Sequence, residues 1–393
     1  MSRQEQVGKS LEELRRRARE LLDKLPWQHL ADSPTTKYYT DWRLFEKQLA
    51  AALQQAGSGA PEQGELEGYD VAVGACTGGP AASGLHVYRM EEAPRELAGF
   101  FASMLRVDET RLAAAHYAFL EEAYVLEVRE PGTYRVAVCG PSGAWGSSHL
   151  VVVVRPGVEA GLLLDIRPSA GGSTAVELLV GEDSSLEVLT IARAPEDAAH
   201  ALVGRRLVLE SARLYSATVA LGSAMHRVEE ETLLAGNASL VHRGAGVATG
   251  SQRLDLIADT IHQGPRSKSS VRVYGFALDE SLVAARGVAS IRETARGSSA
   301  GFEAEVLIVG DRARGYTMPL MEIDTGDVEH ASHHAAQYRI SSEQLFYLQS
   351  RGLSEADALE LLLAERLRTT AQHLEKLSDK AEKTVEEIIT RLF

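Results

Sequence analysis

The sequence predicts a mainly β protein. Its core reads as a solenoid of the parallel β-helix kind, flanked by an N-terminal helical and α+β segment and by a C-terminal helical domain. Three observations carry this. Residues 149–325 break into short strand-like runs split by Gly, Ser, Asp and Pro, many alternating apolar and polar at the period of a half-buried strand. Within them, "GVEAGLLL", "GEDSSLEV", "SARLYSAT" and "GNASLVHR" each place a turn before an apolar-centred strand. Their leucines Leu162, Leu186, Leu214 and Leu240 recur at spacings of 24, 28 and 26 residues, the size of one solenoid coil. Third, helical periodicity dominates both flanks. A β-sandwich also yields many short strands and stays open on pattern alone.

The elements follow in order. Leu11, Leu14, Ala18, Leu21, Leu22 and Leu25 lie at helical spacing before Pro26. Leu44, Phe45, Leu49 and Leu53 mark a second helix over 41–56, ended by Gly57. "GSGAPEQGELEG" (57–68) reads as a linker or surface loop. Next come a strand in "GLHVYRM", helices in "APRELAGFFASML" and "DETRLAAAHYAFLEEA", and strands around the turn at Pro131-Gly132. After the β-rich region, Ser341 and Gln344 form a capping-box pattern, Gly352 is a helix C-cap and Ser354 caps the next helix. Leu367, Ala371, Leu374, Ser378, Ala381, Val385, Ile388 and Leu392 then repeat at 4-3-4-3, a coiled-coil-like seam weak at Ser378. A continuous helix over 355–393 would be roughly 60 Å long. It would need an apolar neighbour, either the N-terminal helix or a partner subunit. The expected divisions are 1–60, 61–148, 149–338 and 339–393.

Composition narrows the function classes. A net charge of −14 argues against nucleic acid or an anionic membrane surface as partner. No run approaches the ~18 apolar residues of a membrane span, and the charged N-terminus lacks the apolar stretch of a signal peptide. Two cysteines, Cys76 and Cys139, exclude a disulfide scaffold and suit a reducing cytoplasm. Cys139 sits in an apolar strand-like run and reads as buried and structural; Cys76, in "GACTGGPAASG", reads as exposed.

Enzyme signatures are missing. "VGKS" (7–10) has Arg3 where a phosphate loop needs Gly, and "GPSGAWGSS" has Ala144 where a nucleophile elbow needs Gly. The densest chemistry is "GDVEHASHH", with His330, His333 and His334 beside Asp327 and Glu329. On a strand, adjacent side chains point to opposite faces, so all three histidines cannot share one ion there. On a helix they could. A metal-binding β-helix protein or enzyme built on these histidines is therefore the alternative function.

One resemblance is specific. "MPLMEIDTGDVEHASHHAAQYRISSEQLFYLQSRGLSEADALELLLAERL" (318–367) strongly resembles the C-terminal signature of the SufB/SufD family of iron–sulfur cluster assembly proteins. "IHQGPRSKSSVRVYGFALDESLVAARGVASI" (261–291) and "VLIVGDRARGYTMP" are similar to family segments on the β-helix, and "SPTTKYYTDW" (33–42) is a weaker echo. The resemblance implies a right-handed parallel β-helix in a cytoplasmic scaffold subunit with no catalysis of its own. It implies pairing with a SufB-like paralogue, or with a second copy, and docking of a SufC-like ATPase on the C-terminal helices. The residues implied for docking are Leu345, Phe346, Tyr347, Leu348, Arg351, Leu353, Leu361 and Leu362. The family's interface histidine falls on His333, a possible contact to iron or to a transient iron–sulfur cluster at the subunit interface. No cofactor is expected to be held stably by this chain alone. Ala304 stands where SufB-type members carry an essential cysteine, and no cysteine follows Cys139, which makes the chain SufD-like.

Overall fold

A computed structural model describes residues 11–28, 39–54, 66, 68–76, 82–340 and 342–392. Helices α1 (Leu11–Leu21) and α2 (Trp42–Gln54) precede β1 (Val71–Gly74) and β2 (Leu85–Arg89). The short helix α3 (Arg95–Ala98) and α4 (Arg111–Ala118) come next. Then follow β3 (Leu120–Val128), β4 (Gly132–Cys139), β5 (Gly146–Val154), β6 (Glu159–Arg167), β7 (Gly172–Val180) and β8 (Ser185–Ala192). The series continues through β9 (Ala199–Val208), β10 (Arg213–Leu221), β11 (Met225–Leu234), β12 (Ser239–Ala248) and β13 (Arg253–His262). It ends with β14 (Lys268–Leu278), β15 (Leu282–Ile291), β16 (Ser298–Val309), β17 (Arg314–Ile323) and β18 (Val328–Ile340). Helices α5 (Ser342–Ser350), α6 (Glu355–Ala371) and α7 (Ser378–Leu392) close the chain.

The strands form two nine-stranded sheets. Sheet I runs β1-β4-β6-β8-β10-β12-β14-β16-β18, and sheet II runs β17-β15-β13-β11-β9-β7-β5-β3-β2. From β3 onward each strand pairs in parallel with the second strand after it, so two strands make one coil. This is a parallel β-solenoid, and the sandwich alternative is set aside. Parallel pairing already begins at β3 and β4, upstream of residue 149. "DETRLAAAHYAFLEEA" divides between α4 and β3.

Register explains the leucine echo. Leu186, Leu214 and Leu240 stack directly on one another. Ala160 continues that column, while Leu162 lies one inward position further along, opposite Val188. The step between β6 and β8 is therefore 26 residues, not 24. Inward positions of both sheets fill the space between them with Leu, Val, Ile and Ala. The turn before each sheet I strand also repeats. Gly157, Asp183, Ser211, Asn237, Arg266 and Gly297 all adopt the left-handed conformation, with φ of 72°, 55°, 57°, 55°, 54° and 68°. The Asp183, Ser211, Asn237 and Arg266 amides donate to the turn of the next coil, at 3.1, 3.0, 2.9 and 2.9 Å. Asn237 also donates its side-chain amide to Glu210 (2.7 Å) and accepts from Arg266 (2.9 Å), so "NAS" serves as a turn ladder here.

Helices cover both outer faces. Leu14, Ala18, Phe45 and Leu49 of α1 and α2 pack with α4 against sheet II. Trp42 stacks on Trp27 at 5.3 Å, and Arg227 lies over the Trp42 ring. On sheet I the C-terminal region corrects the sequence reading. No single 355–393 helix exists: α6 and α7 are separate, and the chain turns between them. Ser378, the weak seam position, is the first residue of α7. Leu367, Leu374, Ala381, Val385 and Ile388 are buried against Leu163, Leu189, Val219 and Phe276 of the chain's own sheet. The seam's neighbour is thus neither the N-terminal helix nor another subunit. Glu187 fixes the turn by accepting the Lys376 and Leu377 amides at 2.7 and 3.2 Å. Leu377 packs so closely on Gly161 that a Cβ there would meet it at 3.0 Å.

The cysteines also correct the sequence reading. Pairing of Gly74 with Cys139 brings the exit of β1 beside the exit of β4. Cys76 and Cys139 form a disulfide with Cα atoms 5.6 Å apart. Cys76 is 7% exposed rather than open to solvent, because Ala137, Leu66 and Tyr69 surround the pair.

The turn ladder yields a test. Ser211 is solvent-exposed, and a left-handed residue other than Gly costs about 1–2 kcal/mol. Ser211→Gly should match or exceed the wild-type urea midpoint, whereas Ser211→Val should lower stability by about 1–2 kcal/mol. Equal midpoints for the two variants would contradict the assigned turn.

Candidate functional site

The last coil is an open edge. β17 and β18 terminate their sheets, so among the described residues no strand pairs with their far sides. Their inward residues lack a following coil to cover them, and Ile323 is accordingly 45% exposed. Leu320 and Tyr338 are exposed as well. Across the open mouth, Gln337 Nε2 donates to Thr317 Oγ1 at 3.3 Å. Arg339 Nη1 donates to the Gly310 carbonyl at 2.6 Å.

Register places the histidines. His333 pairs with Phe302 and ends an inward column running through Tyr134, Leu162, Val188, Ser216, His242, Val271 and Phe302. His330 and His334 pair with Ser299 and Glu303, on the opposite face. His330 Nε2 meets Ser332 Oγ at 3.1 Å. The segment is a strand, so the three-histidine constellation separates as strand geometry requires. Among the described residues, no group of three or more His, Cys, Asp or Glu side chains could hold a metal ion. Ala304 is buried inside the penultimate coil.

Beyond this edge lies the helical surface. Phe346 and Tyr347 on α5 and Leu361 on α6 are 68%, 56% and 60% exposed. Arg351 lies over the Tyr347 ring and donates to its hydroxyl at 2.8 Å. Leu353 is half-buried between the helices. Leu345 and Leu348 belong to α5 and Leu362 to α6. Ser354 caps α6 in a complete capping box with Asp357. The Ser341 cap lies outside the described residues, as do residues 33–38 of the N-terminal echo.

Sequence reasoning missed the buried polar groups. Inside the solenoid, Arg206 pairs with Glu230, which also accepts from Thr218 Oγ1 at 2.9 Å. Arg206 donates to Ser216 Oγ at 3.3 Å. The Ser216 hydroxyl is then free to donate to His242 Nδ1 (2.9 Å), leaving His242 Nε2–H 3.5 Å from Glu230. Burial holds His242 neutral, well below its ordinary value. A second chain lies beneath α4. Glu177 accepts the Ala102, Met104 and Leu105 amides at 2.7, 2.7 and 2.8 Å, and His149 Nε2–H at 3.0 Å. His149 Nδ1 accepts from His116 Nε2 at 3.0 Å, and His116 Nδ1 accepts from Ser173 at 3.0 Å. These buried groups satisfy one another, and an unmade hydrogen bond there costs about 1–3 kcal/mol. The one sequence signal was polar residues inside apolar strand runs, such as His149 ahead of four valines.

Residues 139–365 match the family model described as SUF system FeS cluster assembly, SufBD core domain. An iron–sulfur cluster assembly SufBD family protein of Mycobacterium bovis is 29% identical over 276 residues, covering 63% of this chain and 69% of that one. A protein of the same description from Mycobacterium leprae is 30% identical over 269 residues, covering 64% and 68%. Another, from Staphylococcus saprophyticus, is 28% identical over 197 residues, covering 49% and 41%. Among the described residues, no helix is long and apolar enough to cross a membrane.

The buried histidines predict a pH dependence. Burial pushes His226 and His262 down to about 4. Unfolded, each takes a proton near pH ~6.5. Between those values the unfolded chain binds more protons, so stability falls on acidification, by up to ~1.4 kcal/mol per pH unit per histidine. Asp259, pushed up to about 6 by burial, opposes this by gaining its proton first in the folded state. Urea unfolding between about pH 6.5 and 4.5 should show that His262→Asn removes about one proton from the slope. An unchanged slope would contradict a neutral, buried His262.

Proposed function

The chain belongs to the SufBD family of iron–sulfur cluster assembly proteins, and on that premise we propose that it is a SufD-like scaffold subunit. It pairs through β17 and β18 with a SufB-like paralogue and docks a SufC-like ATPase on α5 and α6. The observation that carries this reading is the uncapped last coil. Unpaired strand edges with exposed Leu320, Ile323 and Tyr338 suit continuation of both sheets into a second solenoid.

The cysteine positions support the SufD-like assignment. An iron–sulfur cluster needs thiolate ligands. Cys139 ends β4, seven strand spacings of ~4.8 Å from β18 in sheet I, or about 34 Å. Its sulfur is already bonded to Cys76. At the open end this chain contributes His333 at most, and the thiolates come from the paralogue. The cluster is cargo assembled between subunits, in the cytoplasm, and this subunit performs no catalysis alone.

The docking surface is tested directly. Phe346→Asp, Tyr347→Asp and Leu361→Asp replace exposed side chains, so thermal stability should stay within about 0.5 kcal/mol of wild type. Each should weaken co-purification with a SufC-type ATPase, and the triple variant should lower affinity at least about a hundredfold. Undiminished binding by the triple variant would remove α5 and α6 from the ATPase interface.

A further inference from the structure

At the other end of the solenoid, a cavity of about 290 Å³ lies between β1 and β4 of sheet I and β3 and β5 of sheet II. Val73, Val138 and Tyr124 line it with apolar surface continuous with the interior. Its polar lining includes Ser148, Glu121 and Glu122.

A β-bulge makes the space. In the pairing of β3 with β5, Leu120 faces Ser147 and Ala123 faces His149. Glu121 and Glu122 therefore share the place opposite Ser148, and the strand bends away there. Arg15 of α1 holds the bulge by donating to the Leu120 and Glu121 carbonyls. Ser148 alternates with the inward Leu150 and Val152, so its side chain points into the cavity. The residue is 7% exposed, and among the described residues its hydroxyl has no hydrogen-bond partner. One coil further on, Thr174 stacks on Ser148 and does find a partner, His200 Nε2 at 3.2 Å. A buried hydroxyl without a partner costs about 1–3 kcal/mol, which a bound group would relieve.

The charges around the hydroxyl define that group. Glu122 accepts from the Tyr124 hydroxyl at 2.5 Å and pairs with Arg89 at 3.0 Å. Burial, with Glu122 beside it, pushes the Tyr124 hydroxyl up to about 12, so it stays a donor. Among the described residues no Lys or Arg lines the cavity, and both its charged groups are carboxylates. We propose that the cavity binds a small primary amine, its ammonium at the Glu121–Glu122 bulge beside the Ser148 hydroxyl and its hydrocarbon part on Val73, Val138 and the Tyr124 ring. An ammonium brings three donors and no acceptor, which suits two carboxylates and a serine oxygen. An anion would meet like charge here, and a neutral alcohol would satisfy Ser148 without answering the carboxylates. The volume is about twice the ~150 Å³ of a cavity that takes benzene, so a ring carrying a two-carbon amine fits.

Phenethylamine is the probe, with 2-phenylethanol and phenylacetate carrying the same ring on a neutral and an anionic head. Calorimetric titration of the full-length protein at neutral pH should give one equivalent of phenethylamine bound. The alcohol should bind at least about fivefold and the carboxylate at least about tenfold more weakly. Amide shifts should move at 73–75, 121–124 and 148 and stay still at the far end, in β17 and β18. Glu121→Gln changes an exposed residue, so it should keep the thermal midpoint, weaken the amine at least about threefold and leave the alcohol unchanged. Val138→Phe fills the cavity and should abolish binding of both. No binding of any probe at millimolar concentration would overturn the site. Equal affinity for the three heads, or amine binding undiminished by Glu121→Gln, would overturn the ammonium assignment. Shifts confined to other residues would place the amine elsewhere and overturn the cavity's role.

Discussion

In-register parallel stacking of the coils is the constraint on which the rest of the molecule depends. Each strand bonds its backbone to the equivalent strand one coil before and one coil after. A side chain therefore faces its counterpart in the next coil, and every inward column has to be self-compatible along its length. Columns of Leu, Val and Ala meet that demand by apolar contact. Where polar residues enter, as at Ser216 and His242, they bond to one another and to Arg206 and Glu230 on the facing sheet. The outward turns obey the same rule, with one left-handed residue per coil and amides bridging to the next turn.

Stacking also creates two ends, and the chain treats them differently. At the start, β2 turns antiparallel on β3, β1 covers sheet I, and the disulfide ties β1 down. At the finish both sheets stop on exposed strands. Isolated proteins commonly protect such edges, because unpaired amides and carbonyls recruit another strand. Leaving them uncovered next to exposed Phe346 and Tyr347 is consistent with a subunit built to be continued and docked. Away from that end the chain covers its own outer faces, with α1, α2 and α4 packed on sheet II and the α6–α7 pair on sheet I.

Legibility from sequence followed the range of the interaction. The coil repeat was readable because each turn and strand repeats locally, although Leu162 in place of Ala160 shifted one spacing by two residues. His333 could be separated from His334 because strand alternation is local too. "LFYLQSRG" carried the family signal, which the match over 139–365 bears out at the level of the SufBD core. The disulfide was hidden because 63 residues separate its halves, and only the β1–β4 register brings them together. The break between α6 and α7 was hidden for a related reason. A helical seam looks the same whether it faces another helix or folds back on a sheet, and the Glu187 that anchors the turn lies 189 residues from Lys376. The His116–His149–Glu177 chain joins α4, β5 and β7 and leaves no spacing motif.

The most direct test of the open end is amide hydrogen exchange over β17 and β18, measured with and without a SufB-type paralogue. Continuation of the solenoid across that end predicts slowing of roughly tenfold or more at residues 314–323 and 328–340 on pairing, with the α1 and α2 amides unchanged. A stable complex that leaves both edges exchanging as in the isolated chain would place the subunit interface elsewhere.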